Sequence, residues 1–597
     1  MNLVSTSPGR SAASALLLSL FALPFCSVAR VPPNPAFWGE WAAVLLFALA
    51  WLAQLIGARS EAAPRQPLTL VTAAFVALAL LTLGQTALKH TRFAPESLLA
   101  ALMLLLAALA SHLGQRLHQG GHGAWLARAA AWGLVAALWI NAVGVAMGYA
   151  GWGVVLGEVV GVVWEKRAVG FIGQANQLGV LAVLALAALA YLRQSRALPL
   201  WFALPSFLVA SLVCAATGSR TPLVVFIALA ALAAWQATTR SDAAAAPRRW
   251  AWGLGAVAVF AAIQLGWAWA WLAVEPAPGA AQAASGGAVT ALRGGGAGRI
   301  EMLADAWQLW TAHPLAGVGY GNYAAARLFE LDGPMPAAHA DHAHNLFAQV
   351  LAEWGLLGAV PVLAALAVVL ASALRRRHGG GPGAEQRFFA MVVLALLIYS
   401  QVEFPLWLAN FLLPFALLAG ALAQSTWATP GRQVSQTRLL PAAGACLALA
   451  GCIYGAWDYL RSQDMAMRMK AQIGAGRYVV ANVSYPEAAR VAVGTLFPVQ
   501  AEIMQVRTLP LDGDFAEYRL GLARRALISV PSGETVARFA THAALAGRFD
   551  EGLALMAAMR RRNPLVHDKA LEFLGVLADA DPRVAEMNAR ARAEAGP

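Results

Sequence analysis

The stretch Ala338-His339-Ala340-Asp341-His342-Ala343-His344-Asn345 sets three imidazoles and a carboxylate at the start of an apolar run beginning at Leu346. Imidazole titrates close to neutrality, so one well-placed ring can take a proton from a hydroxyl at working pH. The same residues could bind a metal. Two features disfavour that. No cysteine lies nearby, and the spacing of His339-x-x-His342-x-His344 is not that of a helical H-x-x-x-H pair. His344 is the strongest candidate base, because Asn345 beside it can satisfy a backbone group and Glu353 follows in the apolar run. His339 and His342 then read as loop residues.

Cations form the second set. Arg220 lies in Thr217-Gly218-Ser219-Arg220-Thr221-Pro222, Arg299 opens an amphipathic segment, and Lys166 and Arg167 precede Gly170-Phe171-Ile172-Gly173-Gln174-Ala175-Asn176-Gln177. A guanidinium fork matches two phosphate oxygens, and the pairing strengthens where water is scarce. A single such residue could equally snorkel to water. Gln174, Asn176 and Gln177 could bind sugar hydroxyls or bond between helices. Glu403, in Tyr399-Ser400-Gln401-Val402-Glu403-Phe404-Pro405-Leu406-Trp407, is expected to orient an arginine or histidine, or to form a structural ion pair. Gly319-Tyr320-Gly321 follows no strand and is not a phosphate cradle.

The elements that must position these groups are membrane spans. The chain of 597 residues is 59% hydrophobic and 12% charged, where soluble proteins average about 25% charged. Apolar runs long enough to span recur from Ser11 to Trp457. The formal net charge is +12, but the basic residues sit in short loops between apolar runs, which excludes a nucleic-acid partner and leaves membrane lipids as the one implied. Cys26, Cys214, Cys446 and Cys452 all lie in apolar segments without a C-x-x-C pair, so they read as small buried hydrophobes. Ser11 to Cys26 reads as an uncleaved first span, since more spans follow at once.

Thirteen spans are expected, at 11–28, 39–57, 68–88, 97–114, 126–148, 174–192, 198–216, 221–238, 250–273, 346–373, 388–403, 406–425 and 439–457. Loop arginines place the N-terminus in the cytoplasm. An odd number of crossings then puts the loop 274–345 and the tail 458–597 outside. This divides the chain into 1–273, 274–345, 346–457 and 458–597. In the loop, Arg299 to Thr311 reads as an amphipathic helix with Ile300, Leu303, Ala304, Trp307 and Trp310 on one face. In the tail, Glu517 to Asn563 reads as paired helices. The turn His542 to Leu553 is similar to that of a tetratricopeptide-type hairpin, with Gly547 ending the first helix.

In order and spacing, these pieces resemble the superfamily of O-antigen ligases, O-antigen polymerases and bacterial protein O-oligosaccharyltransferases. The matching pieces are Gly170 to Gly179, Gly218-Ser219-Arg220, Arg299 to Asn322, and the histidine–asparagine stretch into Glu353-Trp354-Gly355. Asn34 to Glu40, Gln85, Tyr399 to Leu406 and the long tail are most similar to the pilin-glycosylation branch, although that branch's segment begins His-Ser where this chain has Tyr399-Ser400. The resemblance implies an all-α, GT-C-like, polytopic inner-membrane enzyme without a cofactor or metal. It implies inverting transfer of a glycan from an undecaprenyl-diphosphate carrier to a Ser or Thr hydroxyl of a periplasmic, pilin-like protein. His344 would activate the hydroxyl, and Arg220 and Arg299 would hold the diphosphate. Lys166, Arg167, Gln174, Asn176, Gln177, Asn345, Glu353 and Glu403 would line the substrates. Transfer to lipid A core or to a growing polysaccharide is the alternative. A lipid-linked-sugar transporter is more distant, because the sequence has no internal repeats and its polar groups sit at one face rather than at midplane. A scaffold acting through the helical tail is a further class.

Overall fold

With no water to satisfy backbone groups in a bilayer, a Leu-, Ala- and Val-rich run closes its hydrogen bonds within itself and becomes a helix. The computed structural model describes residues 8–27, 30, 33–57, 68–150, 163–164, 167–238, 246–274, 297–335, 340–374, 383–423, 439–473 and 483–595. The apolar part of the chain gives α1 (Pro8–Leu20), α2 (Phe37–Gly57), α3 (Leu70–Ala87), α4 (Ala94–Leu117), α5 (Gly123–Tyr149), α6 (Ala175–Gln194), α7 (Leu200–Ala216), α8 (Thr221–Thr238) and α9 (Ala246–Val274). After them come α10 (Ala297–Ala312), α11 (Tyr323–Glu330), α12 (Leu346–Leu374), α13 (Ala384–Tyr399), α14 (Ala409–Leu422) and α15 (Leu439–Ile473). A two-residue hairpin pairs β1 (Val163–Trp164) with β2 (Arg167–Ala168).

Each expected span falls on one of these helices, although α13 stops at Tyr399 and leaves Glu403 in the following turn. Among the described residues, 7 helical stretches are long and apolar enough to cross a membrane, one of them the continuous Ala94–Tyr149 that holds both α4 and α5. The molecule is an all-α membrane protein.

The chain forms two compact units. The first comprises 1–79, 102–295 and 360–453. In it α6 is buried on nearly all sides and packs on α5, α7, α8 and α13, while α14 packs on α13 and α2. Small residues let α4 and α14 cross backbone to backbone. A Cβ at Gly114 would overlap the Leu417 carbonyl, and one at Gly420 would overlap that of Ser111. Helices that share no hydrophobic drive in lipid associate through such close packing.

The second unit comprises 80–101, 296–359 and 454–597. Its tail folds into α16 (Tyr485–Ala492), α17 (Pro498–Thr508), α18 (Ala516–Ser529), α19 (Gly533–Leu545), α20 (Phe549–Arg562), α21 (Pro564–Leu577) and α22 (Pro582–Ala595). The hairpin expected around Gly547 is present. Gly547 has φ +72, and the Arg548 N–H returns to the Ala543 carbonyl at 2.8 Å, closing α19. The tail core also takes in Leu328 from α11 and Met335 from the segment after it.

One expectation is corrected. The amphipathic helix exists as α10, but its buried face is Met302, Asp305, Ala306 and Leu309, not the face read from the sequence. Ile300, Leu303, Ala304 and Trp307 are exposed, and of the expected face Trp310 alone is half-buried. A buried ion pair with Arg327 turns the polar Asp305 inward and the larger apolar residues outward.

Candidate active site

In the first unit, the start of α6 organises the polar groups. Gly173 at φ +73 and the extended Gln174 turn the chain into the helix. Asn176, one residue into α6, is a hub. Its Nδ2 donates to Glu403 Oε1 at 2.6 Å, and its Oδ1 accepts from Ser219 Oγ at 2.7 Å and Arg167 Nη2 at 3.3 Å. Arg167 Nε also donates to the Thr217 carbonyl at 2.8 Å. Glu403 is 4% exposed, and a buried carboxylate is costly without such donors. The structure thus joins Arg167, Asn176, Ser219 and Glu403, with Asn176 standing between acid and arginine. Arg220 follows Ser219 and is exposed at the head of α8, where its carbonyl accepts the Leu223 and Val224 N–H groups. Lys166 lies outside the described residues.

Gln174 and Gln177 lie apart from that hub. They line a cavity of about 180 Å³ with Arg30, Asn34, Pro35, Ala36, Leu408 and Asn410. Arg30 Nε donates to the Phe171 carbonyl at 3.0 Å. Burial pushes its guanidinium down to about 10, which leaves it charged near neutral pH.

In the second unit, α12 is broken at Gly355, with φ 60 and ψ −155. A break releases the carbonyls before it and the N–H groups after it. The segment Pro314–Gly319 takes up both sets. Val318 and Gly319 N–H donate to the Ala352 and Glu353 carbonyls at 2.8 and 3.1 Å. Leu356 and Leu357 N–H donate to the Pro314 and Leu315 carbonyls at 2.9 and 3.1 Å. Left unmade, each would cost about 1–3 kcal/mol. A Cβ on Gly355 would overlap the Leu315 carbonyl, so both the conformation and the approach require glycine. Gln85 locks the arrangement. Its Nε2 donates to the Ala316 and Glu353 carbonyls at 2.8 and 2.9 Å, and its Oε1 accepts the Tyr320 N–H at 3.1 Å. The buried Glu353 accepts the Gly321 N–H at 3.0 Å.

Asn345 caps α12, accepting the Phe347 and Ala348 N–H groups at 3.0 Å each. His344, just before it, has φ 50. A non-glycine residue held there carries backbone strain, which structures keep mainly at functional positions. Gln349 Oε1 accepts the Ala343 N–H at 2.6 Å. Arg327 pairs with Asp305 at 2.8 Å and donates to the Ala340 carbonyl at 3.2 Å. The ring of His342 bonds Asp341 at 2.8 Å. Burial disfavours charge on His342, but Asp341, with Glu353 and Glu96 near, outweighs it and raises the pKa. Burial likewise opposes charge on Asp341, and His342 overcomes it and lowers that pKa. Arg299 is half-buried in the first turn of α10, and His339 lies outside the described residues.

Sequence reading missed Arg30, Asn410 and the Asp305–Arg327 pair. Arg30 had a visible signal, a lone basic residue between two spans on the arginine-poor side. Asn410 had a weaker one, an amide opening an apolar run. Nothing in the spacing of Asp305 and Arg327 joins them before the chain folds.

Residues 205–363 match the family model described as O-antigen ligase, and residues 388–570 match that described as virulence factor membrane-bound polymerase, C-terminal. Both matches support a likeness to the O-antigen ligase superfamily. No curated protein matches the chain. The O-antigen ligase match contains Arg220, Arg299, His344 and Glu353, and the polymerase match contains Glu403, Asn410 and most of the helical tail. The start of α6 precedes both. An O-antigen ligase-type chain moves glycans between a lipid carrier and an acceptor, which supports a glycan-transferring ligase or polymerase here.

Proposed function

We propose that the protein transfers a glycan en bloc from an undecaprenyl-diphosphate carrier to Ser or Thr hydroxyls of a periplasmic protein. The match of residues 205–363, which holds Arg220, Arg299 and His344 in one stretch, supports glycan transfer, and the likeness of Asn34 to Glu40, Gln85 and Tyr399 to Leu406 to the pilin-glycosylation branch supports the protein acceptor. In the proposed step, His344 takes the hydroxyl proton as the acceptor oxygen bonds the anomeric carbon. The bond from that carbon to the diphosphate oxygen breaks, and its electron pair leaves with the diphosphate. Attack from the face opposite the leaving group inverts the centre. Arg220 and Arg299 hold the diphosphate, since fixed cations lower the cost of the charge that develops on departure. Asn345 positions His344 through the α12 cap. No metal is needed for any of these roles.

In this reading the chain crosses the inner membrane thirteen times, with a cytoplasmic N-terminus and a periplasmic tail. Transfer to lipid A core or to a growing polysaccharide is the second reading. The printed descriptions of both family matches, ligase and polymerase, favour it. Reconstitution with an undecaprenyl-diphosphate glycan, a pilin-like protein and lipid A core separates the two. The first reading requires a mass gain on the protein. Gain on lipid A core or chain growth alone replaces it with the second, and gain on none removes both.

A further inference from the structure

The outward side of α10 is apolar and carries no charge. Its exposed residues are Ile300, Leu303, Ala304, Trp307, Gln308, Thr311 and Ala312. At about 100° per residue they share one side of the helix. Ile300 is 69% exposed and Trp307 58%. A helix that faces water places charged and polar residues on its outward side. The charged groups of α10 lie elsewhere. Asp305 turns inward to Arg327, and Arg299 and Glu301 are half-buried on the two flanks of the exposed side. Contiguous apolar surface of this kind marks a contact with protein or membrane.

Continuity with α12 selects between the two. Leu315, just beyond the end of α10, is 66% exposed, and its carbonyl accepts the Leu357 N–H at 3.1 Å. Leu356 and Leu357 are exposed as well. They head an exposed apolar stripe that runs along α12 through Val360, Leu363 and Leu370 to Leu374. This helix is long and apolar enough to cross a membrane, and an outward leucine–valine stripe on such a helix meets lipid. Leu315 carries that surface over to α10.

We propose that the outward side of α10 docks on the bilayer surface, with its apolar residues at the boundary between headgroups and acyl chains. Trp307 suits that depth, because an indole joins an apolar body to one polar N–H. Arg299 and Glu301, on the flanks, then sit at headgroup level, where a charged tip reaches water while its stem covers apolar surface. The occupant is lipid rather than a second chain because the patch extends a surface that lipid already covers. The docked helix holds Arg299 at the depth of lipid phosphates.

The test is electron paramagnetic resonance on the full-length protein in lipid nanodiscs. A nitroxide is attached in turn through Leu303→Cys, Trp307→Cys and Asp332→Cys, the last an exposed comparison position after α11. The parent protein, carried through the same labelling, gives the background from its own cysteines. All three positions are exposed, so the variants should keep the parent's thermal midpoint. Collision with oxygen, which concentrates in lipid, is compared with collision with a water-soluble nickel chelate. The oxygen-to-nickel ratio at positions 303 and 307 should exceed that at 332 at least severalfold. Ratios equal to that at 332 would mean that the face meets water, and would overturn the proposal. Weak collision with both reagents would mean that protein covers the face, a second copy or an acceptor, and would overturn it equally. The measurement needs no turnover, so it stands or falls separately from the glycan-transfer reading.

Discussion

His344 at φ 50 makes a clean experiment possible, because asparagine tolerates the left-handed region better than most residues. His344→Asn keeps the backbone and removes the base. Transfer by this variant should fall on the order of 10²–10⁴-fold, the usual share of general base catalysis. Its thermal midpoint should stay near that of the parent, and turnover at the parent rate would strip His344 of the role. His342 and Asp341 predict a pH effect. The His342 pKa is raised, so its contribution to stability is full below about 6.5 and fades as pH rises through the raised value. The Asp341 pKa is lowered, so its contribution is full above about 3.8 and fades as pH falls through the lowered value. Thermal midpoints should therefore pass through a maximum between those limits, and Asp341→Asn should flatten the curve. At this scale the sequence showed which groups could act, because titratable side chains stand out in an apolar chain. It did not show that Glu403 meets Arg167 through Asn176, since those partners lie more than two hundred positions apart in sequence.

Helices were legible as elements because apolar length alone defines them. Their faces were not. The period of α10 was read correctly and its buried side wrongly, since periodicity cannot tell a stripe facing protein from one facing lipid or water. The break at Gly355 was also hidden, as Glu353-Trp354-Gly355 sits inside a long, mostly apolar run. Gly355→Ala should lower the thermal midpoint, with about 1–3 kcal/mol from a backbone conformation that essentially glycine alone adopts and more from the Leu315 overlap. A midpoint equal to the parent's would contradict the packed break. A second element-scale prediction concerns the tail. Arg562 Nη1 and Nη2 donate to the Leu328 and Arg327 carbonyls at 2.6 and 2.7 Å, and Asn563 Nδ2 donates to that of Met335 at 2.7 Å. Arg327 in turn holds Ala340, close in sequence to His344. Arg562→Ala should slow transfer while membrane insertion persists, with about 1.5–3 kcal/mol lost per charged hydrogen bond. Unaltered kinetics would confine the tail to other roles.

At the scale of the whole molecule, composition alone excluded a soluble enzyme, and the arrangement of arginines suggested an orientation. What composition could not supply was the way each unit gathers separated segments. The second unit draws residues 80–101 and 296–359 together with the tail, a grouping invisible to a linear division of spans and loops. The metal-free reading predicts that thorough chelation leaves transfer intact, measured in the reconstituted system; loss of activity restored by a divalent cation would reverse it.

The segment from Pro314 to Gly319 has one further consequence, for the lengths the chain can tolerate. It meets the two sides of the Gly355 break with fixed partners at both of its ends. One residue inserted or deleted between Pro314 and Gly319 would put one of those ends out of step. Length polymorphism should be absent there.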